Sequence, residues 1–264
     1  MACRLQWNGM GMSRGHATIR FVVAPFLAML AGCALLNARD GEAGADDVAG
    51  ESDPDGGQVV EPAPEHGLDA AGPSVQTILI GGDAVLDTYL RNDEPTYNYG
   101  AEERFCTDSG GDDRRALLRF DLAAVGAPTI TEATLHIVTD GGDSGQSPDV
   151  HLVYQVLEPW YEGGNAGEVG VASWFEAQAG VSWTTDGAGP GSRADAPVGS
   201  YTPITSETRY DVAIDPALVN AWLLEPDSNH GLAIVNGGGD ATCYYSAEQA
   251  EPARRPTLTL VWTD

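Results

Sequence analysis

The stretch Arg115-Ala116-Leu117-Leu118-Arg119-Phe120-Asp121-Leu122 reads as a β-strand. Successive side chains of an extended chain point to opposite sides. Leu118, Phe120 and Leu122 therefore share one face, and Arg115, Leu117, Arg119 and Asp121 share the other. The same period of two recurs outward from it. Ala133, Leu135 and Ile137 alternate with Thr134 and His136, and Val150, Leu152, Tyr154 and Val156 alternate with His151 and Gln155. Near the end, Leu258, Leu260 and Trp262 stand between Thr257, Thr259 and Thr263. Further strands are expected near 84–90, 103–107, 207–214, 231–235 and 242–247.

The 33 glycines and 16 prolines punctuate these segments, as the turns of an all-β protein require. One helix interrupts them: Asp215 can cap it, Pro216 suits its first turn, Leu218, Val219, Trp222 and Leu223 form an apolar stripe, and Pro226 stops it. A second short helix is expected over 172–178. Local hairpins alone leave no place for the long segment 158–207, so the expected fold is a jelly-roll-like β-sandwich with one or two short helices in its connections.

The N-terminal region reads as a leader. Arg14, His16 and Arg20 precede an apolar run from Phe21 to Ala31, which is too short to span a bilayer. Met12 would open a leader of more usual length than Met1. The run closes on Leu30-Ala31-Gly32-Cys33, which resembles the lipobox of bacterial lipoproteins, where the cysteine becomes the acylated first residue of the mature chain. The other reading is an ordinary secretory signal with an incidental cysteine. On either reading the rest folds outside the cytosol, and on the first it is lipid-anchored at the cell envelope, in the outer membrane or at the cell surface. Three segments follow: residues 1–32 as signal peptide, 33–76 as an acidic tether too poor in apolar residues to fold, and 77–264 as one sandwich domain.

All 13 basic residues are arginine, against 39 acidic ones, for a net charge of −26. Removing Arg4, Arg14 and Arg20 with the leader leaves 10 arginines and a mature net charge of −29. Such a chain repels phosphate backbones, so nucleic acid is not an expected partner, and membrane contact is expected only through the lipid. The absence of lysine excludes Schiff-base chemistry. Outside the leader and Cys33, two cysteines remain, Cys106 and Cys243. In an exported domain they read as one disulfide, closing a loop of ~137 residues; two buried free thiols are the other reading.

Catalytic constellations are weak. Gly142-Asp143-Ser144-Gly145 superficially matches the nucleophile loop of trypsin-like proteases, but Gln146 follows where a glycine belongs and no matching histidine segment precedes it. It reads as a polar turn. His66, His136, His151 and His230 lack two-ligand spacing, and His136 and His151 are expected on solvent faces of strands rather than around zinc. Calcium is the one metal with candidate ligands, in the Gly-rich acidic loops that hold Asp108, Asp112 and Asp143; solvated acidic turns are the competing reading. Tyr97, Tyr99, Trp160, Tyr161, Trp174 and Trp183 fall in loops or at strand ends. Such aromatics either stack on sugars in an open groove or build a secondary core, the latter suiting Trp160, Trp174 and Trp183.

In order along the chain come Asp87-Thr88-Tyr89-Leu90-Arg91, Asn98-Tyr99-Gly100, Arg115 to Leu122, Ile130 with Ala133-Thr134-Leu135, Trp160 with Glu162, Asn229, Gly231-Leu232, Tyr245-Ser246-Ala247-Glu248 and Pro256-Thr257-Leu258. This ordered set resembles the DNRLRE-type domain, carbohydrate-binding module family 96, related to the disaggregatase-associated repeats. The resemblance implies a β-sandwich, a non-catalytic module and, as in those members where a ligand is known, polysaccharide binding; Arg91, Tyr97, Tyr99 and Trp160 are the candidate ligand-binding residues. Within the motifs, Asp121 could cap a turn and Glu248 could pair with Arg119. An acidic glycan such as alginate, one ligand associated with the family, would have to meet the negative charge through local arginines or bridging calcium. The expected protein is thus a monomeric, non-catalytic, polysaccharide-binding lipoprotein. A structural or adhesion module contacting protein or matrix is the second reading, and a polysaccharide lyase or hydrolase the third.

Overall fold

The computed structural model describes residues 73–126, 128–164, 168 and 170–264. The expected leader, Cys33 and almost all of the expected tether lie outside them. Val75 and Gln76, at the tether's expected end, already belong to the first strand.

Among the described residues the strands are β1 Val75–Ile80, β2 Val85–Arg91, β3 Arg104–Thr107, β4 Arg114–Phe120, β5 Ile130–Val138 and β6 His151–Gln155. There follow β7 Glu176–Gln178, β8 Val181–Ser182, β9 Gly199–Tyr201, β10 Arg209–Ile214, β11 Leu232–Asn236, β12 Thr242–Tyr245 and β13 Thr257–Thr263. They make an all-β sandwich. One sheet runs β1-β13-β5-β10 and the other β2-β4-β11-β6-β9, with all pairs antiparallel. The chain passes repeatedly from sheet to sheet, so the last long strand sits between β1 and β5.

The alternation in β4 has the expected consequence. Leu118 and Phe120 join Leu135, Ile137, Ile234, Leu258 and Leu260 in the core between the sheets. Leu117, on the opposite face, is equally buried but in a second cluster, with Leu90, Ala233, Trp160, Trp174 and Trp183. That cluster lies where the segment after β6 folds back over the outer face of the five-stranded sheet. Gly231 lets β11 approach β4 there: its φ is +81°, and a Cβ would stand 2.2 Å from the Leu118 carbonyl oxygen.

β3 and β12 form their own pair, in which Cys106 faces Cys243, and the two are joined by a disulfide. The helix α1, Pro216–Leu224, starts as expected: the Asp215 carboxylate accepts the Ala217 N–H at 2.9 Å. Leu218, Val219 and Trp222 are its buried residues, and the Asn220 amide clamps both the N–H and the carbonyl of Ile130.

Three expectations are corrected. Residues 172–178 form no helix; Glu176–Gln178 are strand β7, paired with β8, because the backbone here bonds across a hairpin and to Pro95 rather than along itself. His151 and Val153 face the core, while Leu152 and Tyr154 are only half-buried and Val150 is exposed, the reverse of the face read for β6. Burial of His151 is tolerated because both ring nitrogens have partners, the Thr107 hydroxyl at 2.9 Å and the Asp149 carbonyl at 3.1 Å. His136 lies on an outer face but not in solvent, its ring held between Asp211 at 2.6 Å and Thr259 at 2.7 Å.

Candidate functional site

The large aromatics separate into covered and open sets. Trp160 is fully buried, with its indole N–H donated to the His230 carbonyl at 2.8 Å and the Arg119 guanidinium over its ring at 5.5 Å. It therefore offers no stacking face, and its place among the candidate ligand-binding residues is corrected to a packing role. Trp183 donates to the Ser173 carbonyl at 2.8 Å, and Trp174 lies under the Arg115 guanidinium at 4.7 Å. Loops cannot interdigitate as strands do, so a few wide rings with a polar tip fill the space beneath them.

Tyr99 is also committed. Its ring stacks on Tyr89 at 4.5 Å, Arg91 stands 5.5 Å from its face, and its hydroxyl donates to Glu94. Burial pushes that hydroxyl's pKa up. Arg91 is held by Asp93 at 2.5 Å and Glu94 at 3.1 Å, and the Asp93 hydrogen bond raises its pKa. The neighbouring Asn98 donates to the Ala172 carbonyl at 2.9 Å and to Glu162, and its own oxygen accepts the Gly100 N–H at 3.0 Å. A Cβ on Gly100 would stand 2.5 Å from the Gly163 carbonyl oxygen. Asn98-Tyr99-Gly100 thus serves to seat the overlying segment on β2.

Of the expected ligand-binding set, only Tyr97 is open, at 43 % exposure. It is joined by Tyr161 at 56 % and Phe175 at 43 %. Main-chain hydrogen bonds bring their segments together: Phe175 donates to the Pro95 carbonyl, Tyr161 to the Ala177 carbonyl, and Trp183 to the Phe175 carbonyl. All three rings are open, and each belongs to a segment that is hydrogen-bonded to the segment carrying the tryptophans or runs on from one of them. Sequence reading passed over Phe175, because a helix was expected there; a run of Trp174-Phe175 next to Glu176-Ala177-Gln178 could equally have been read as a strand entry.

At the seam between the sandwich and this overlying segment, three carboxylates meet. Glu162 accepts the Asp87 N–H at 2.5 Å, and Asp87 accepts the Ala247 N–H at 2.7 Å. Burial raises the pKa of Asp87, with the Glu248 and Glu162 charges adding to it; burial raises Glu248 as well and lifts Glu162 to about 7. Arg119 acts on Glu162 and Arg255 on Glu248, in place of the expected Glu248–Arg119 pair. Asp121 does cap a turn, accepting the Ala123 N–H at 2.9 Å.

The calcium candidates are not brought together. Asp108 accepts the Gly110 N–H at 2.9 Å within the turn before β4, near Asp112, while Asp143 sits in the exposed turn after β5. Among the described residues no group of three or more His, Cys, Asp or Glu side chains has the geometry to hold a metal ion. The Gly142–Gly145 segment is the polar turn expected, closed by the Gly145 N–H on the Gly142 carbonyl at 3.0 Å. Beside it, an open polar groove of about 580 Å³ is lined by Arg104, Asp140 and Tyr245 among others, with Arg104 paired to Asp140 at 3.4 Å and Arg254 over the Tyr245 ring at 4.8 Å.

Compared with known proteins, residues 82–261 match the family model of carbohydrate-binding module family 96. The match runs from the turn before β2 to within β13 and so takes in the seam, the open rings and nearly all of both cores. No curated protein matches the chain significantly.

Proposed function

Because this chain belongs to carbohydrate-binding module family 96, we propose that it is a non-catalytic polysaccharide-binding lipoprotein, held at the cell envelope through a lipid on Cys33. The family match over 82–261 is the observation that carries the reading. Two features support it. The open rings of Tyr97, Tyr161 and Phe175 are the kind of surface on which sugar C–H faces stack. The carboxylates of Asp87 and Glu162 accept main-chain N–H groups that fasten one segment to another, which is a structural use of acids. The sequence Leu30-Ala31-Gly32-Cys33 supports the anchor, and the acidic stretch after it would let the sandwich stand off the bilayer.

The test is a glycan array probed with the purified protein, once with calcium and once with chelator. Retention on at least one polysaccharide is expected; silence across the array with folded protein in both conditions removes the reading. Incorporation of labelled palmitate into the wild type but not into Cys33→Ala separately checks the anchor.

A further inference from the structure

We propose that the open polar groove beside the pair of β3 and β12 is the glycan site, and that Arg104 in it receives the carboxylate of a uronate-bearing polysaccharide. The inference rests on the reading of the chain as a glycan binder and adds the place and the group that is recognised.

The place follows from a cavity with fixed walls. Residues opposite one another in an antiparallel pair share a face, so Arg104 and Tyr245, partners in the register, stand side by side. Phe105 and Tyr244, the next pair, turn the other way and stack at 5.4 Å in the core, and the pair after that is the disulfide. The other walls are fastened to these strands by the main chain. The Asp140 N–H donates to the Cys243 carbonyl at 3.0 Å, the Ser246 N–H to the Glu103 carbonyl at 3.1 Å, and the Ser246 hydroxyl to the Glu102 carbonyl at 2.6 Å. Between them lies a volume of about 580 Å³, with Gln249 and the bare backbone of Gly141 and Gly142 completing its lining. Ligand pockets span about 300–1,000 Å³, and walls already fixed lose little entropy on binding.

The recognised group follows from Arg104. Its Nη1 stands 3.4 Å from Oδ2 of Asp140, a buried carboxylate whose Oδ1 accepts the Gly142 N–H at 3.1 Å. Asp140 is thereby held in place and orients the guanidinium by one nitrogen. The Arg104 side chain is otherwise 59 % exposed and makes no other hydrogen bond or ion pair among the described residues. Its remaining N–H donors form the planar fork that takes a carboxylate by two parallel bonds. Arg254, the other cation near the groove, is already held by Glu207 at 3.2 Å and Glu251 at 2.7 Å and lies on Tyr245.

Glu102 and Glu103 in the lining oppose an anion, but Glu102 has cations behind it. Burial raises the pKa of the Tyr89 hydroxyl, and Arg91, Glu102 and Arg114 all act on that hydroxyl as charges. Salt at about 0.15 M screens the remoter acids beyond about 8 Å, while the contact at Arg104 is short. Arg114 is the competing receiver. It stands opposite Arg91 in the pair of β2 and β4, and its buried Nε has no partner. The groove adds to its arginine a volume in which a sugar fits and a carboxylate that aims the guanidinium.

Affinity electrophoresis of the purified protein at physiological salt in chelator tests this, with alginate and polygalacturonate against dextran sulfate, a mixed-linkage glucan and a galactomannan. The variants are Arg104→Met, Arg114→Met at the competing cation and Arg209→Met on the far sheet, all with the same change of charge, and a thermal melt checks the folding of each. Expected is retention by at least one uronate polymer, weakened about tenfold in Arg104→Met and unchanged in the other two. Should Arg104→Met melt early, Arg104→Lys keeps the charge without the fork and is expected to weaken retention likewise. Loss in Arg114→Met with Arg104→Met intact moves the site to the pair of β2 and β4 and overturns the groove. Equal weakening in Arg209→Met, or equal retention by dextran sulfate, means that charge alone is read and overturns the contact. Retention only by the uncharged glycans, or of uronates only when calcium is restored, overturns the role of Arg104. If the broad glycan array described above is silent as well, it is the glycan-binding reading beneath this proposal that falls.

Discussion

Leu117 and Leu118 are neighbours in β4 and both are wholly buried, yet they serve different cores. Leu118 points between the sheets, where aliphatic side chains from both inner faces interlock. Leu117 points outward, into the tryptophan layer under the segment that follows β6. The first core is made by strands on both sides. The second has a strand floor and a loop roof, and its roof holds by indole N–H bonds to carbonyls and by guanidinium groups laid on rings. The roof's tryptophans take no part in the core between the sheets, whereas the roof has no floor without the sandwich. The open rings of Tyr97, Tyr161 and Phe175 belong to the dependent layer and the segments tied to it.

The disulfide gives the largest expected effect and treats the two cores alike. Its loop, spanning a sequence separation of 137, contains the whole roof segment together with much of the sandwich. Where it acts by restricting the unfolded chain, Cys106→Ser with Cys243→Ser lowers stability by about 5 kcal/mol. Urea unfolding would measure this, and hydrogen exchange should show protection falling in both layers together. Loss confined to β3 and β12 would mean that the bond works locally instead.

The leucine pair should separate what the disulfide leaves joined. Each Leu→Ala change removes a fully buried side chain and costs about 2–5 kcal/mol. Leu118→Ala is expected to reduce hydrogen-exchange protection throughout both sheets. Leu117→Ala is expected to expose 156–193 first, with β5, β10 and β13 keeping most of their protection. If the two variants give the same pattern, the layers form one cooperative unit and the comparison collapses.

The sandwich was legible in the sequence to the extent that its strands expose one face and bury the other by simple alternation. β13 obeys that rule, β4 and β5 obey it on their inward faces while Leu117 and His136 on their outer faces are covered as well, and Asp215-Pro216 marked the helix start through local chemistry alone. β6 broke it, because what permits His151 to turn inward is the hydroxyl of Thr107, a residue remote in sequence. The roof was harder still. Its segment has no periodicity long enough to read, and whether an aromatic there is covered or open depends on which carbonyl its indole N–H reaches and which arginine lies on it. Trp160 and Tyr161 are adjacent in the chain and lie at opposite extremes of burial. Tyr97 was found from its place beside a turn; Phe175 was hidden by a misread helix.

The seam between the layers gives the smallest effect and the sharpest sign. Burial lifts Glu162 to about 7, above its ordinary value of 4.5, so between these limits the folded protein holds a proton that the unfolded chain releases. The stabilisation this provides is complete below the unfolded value and is lost as pH rises through about 7. Asp87 and Glu248, also raised, act in the same direction. His151 and His230, whose pKa values burial lowers, act in the opposite one, charging more readily in the unfolded chain as pH falls. The wild-type profile alone therefore mixes the two, and the informative quantity is its difference from Glu162→Gln, whose amide oxygen can still accept the Asp87 N–H. Since Glu162 is only about half buried, solvent screening reduces the effect to about 1–2 kcal/mol. Urea unfolding at pH 5 and pH 8 should show the variant gaining on the wild type as pH rises, with the gain read mainly in the protection of 156–193. An equal gap at both pH values would mean that the Glu162 carboxylate is ionised throughout and that Arg119, rather than a proton, keeps it at the seam.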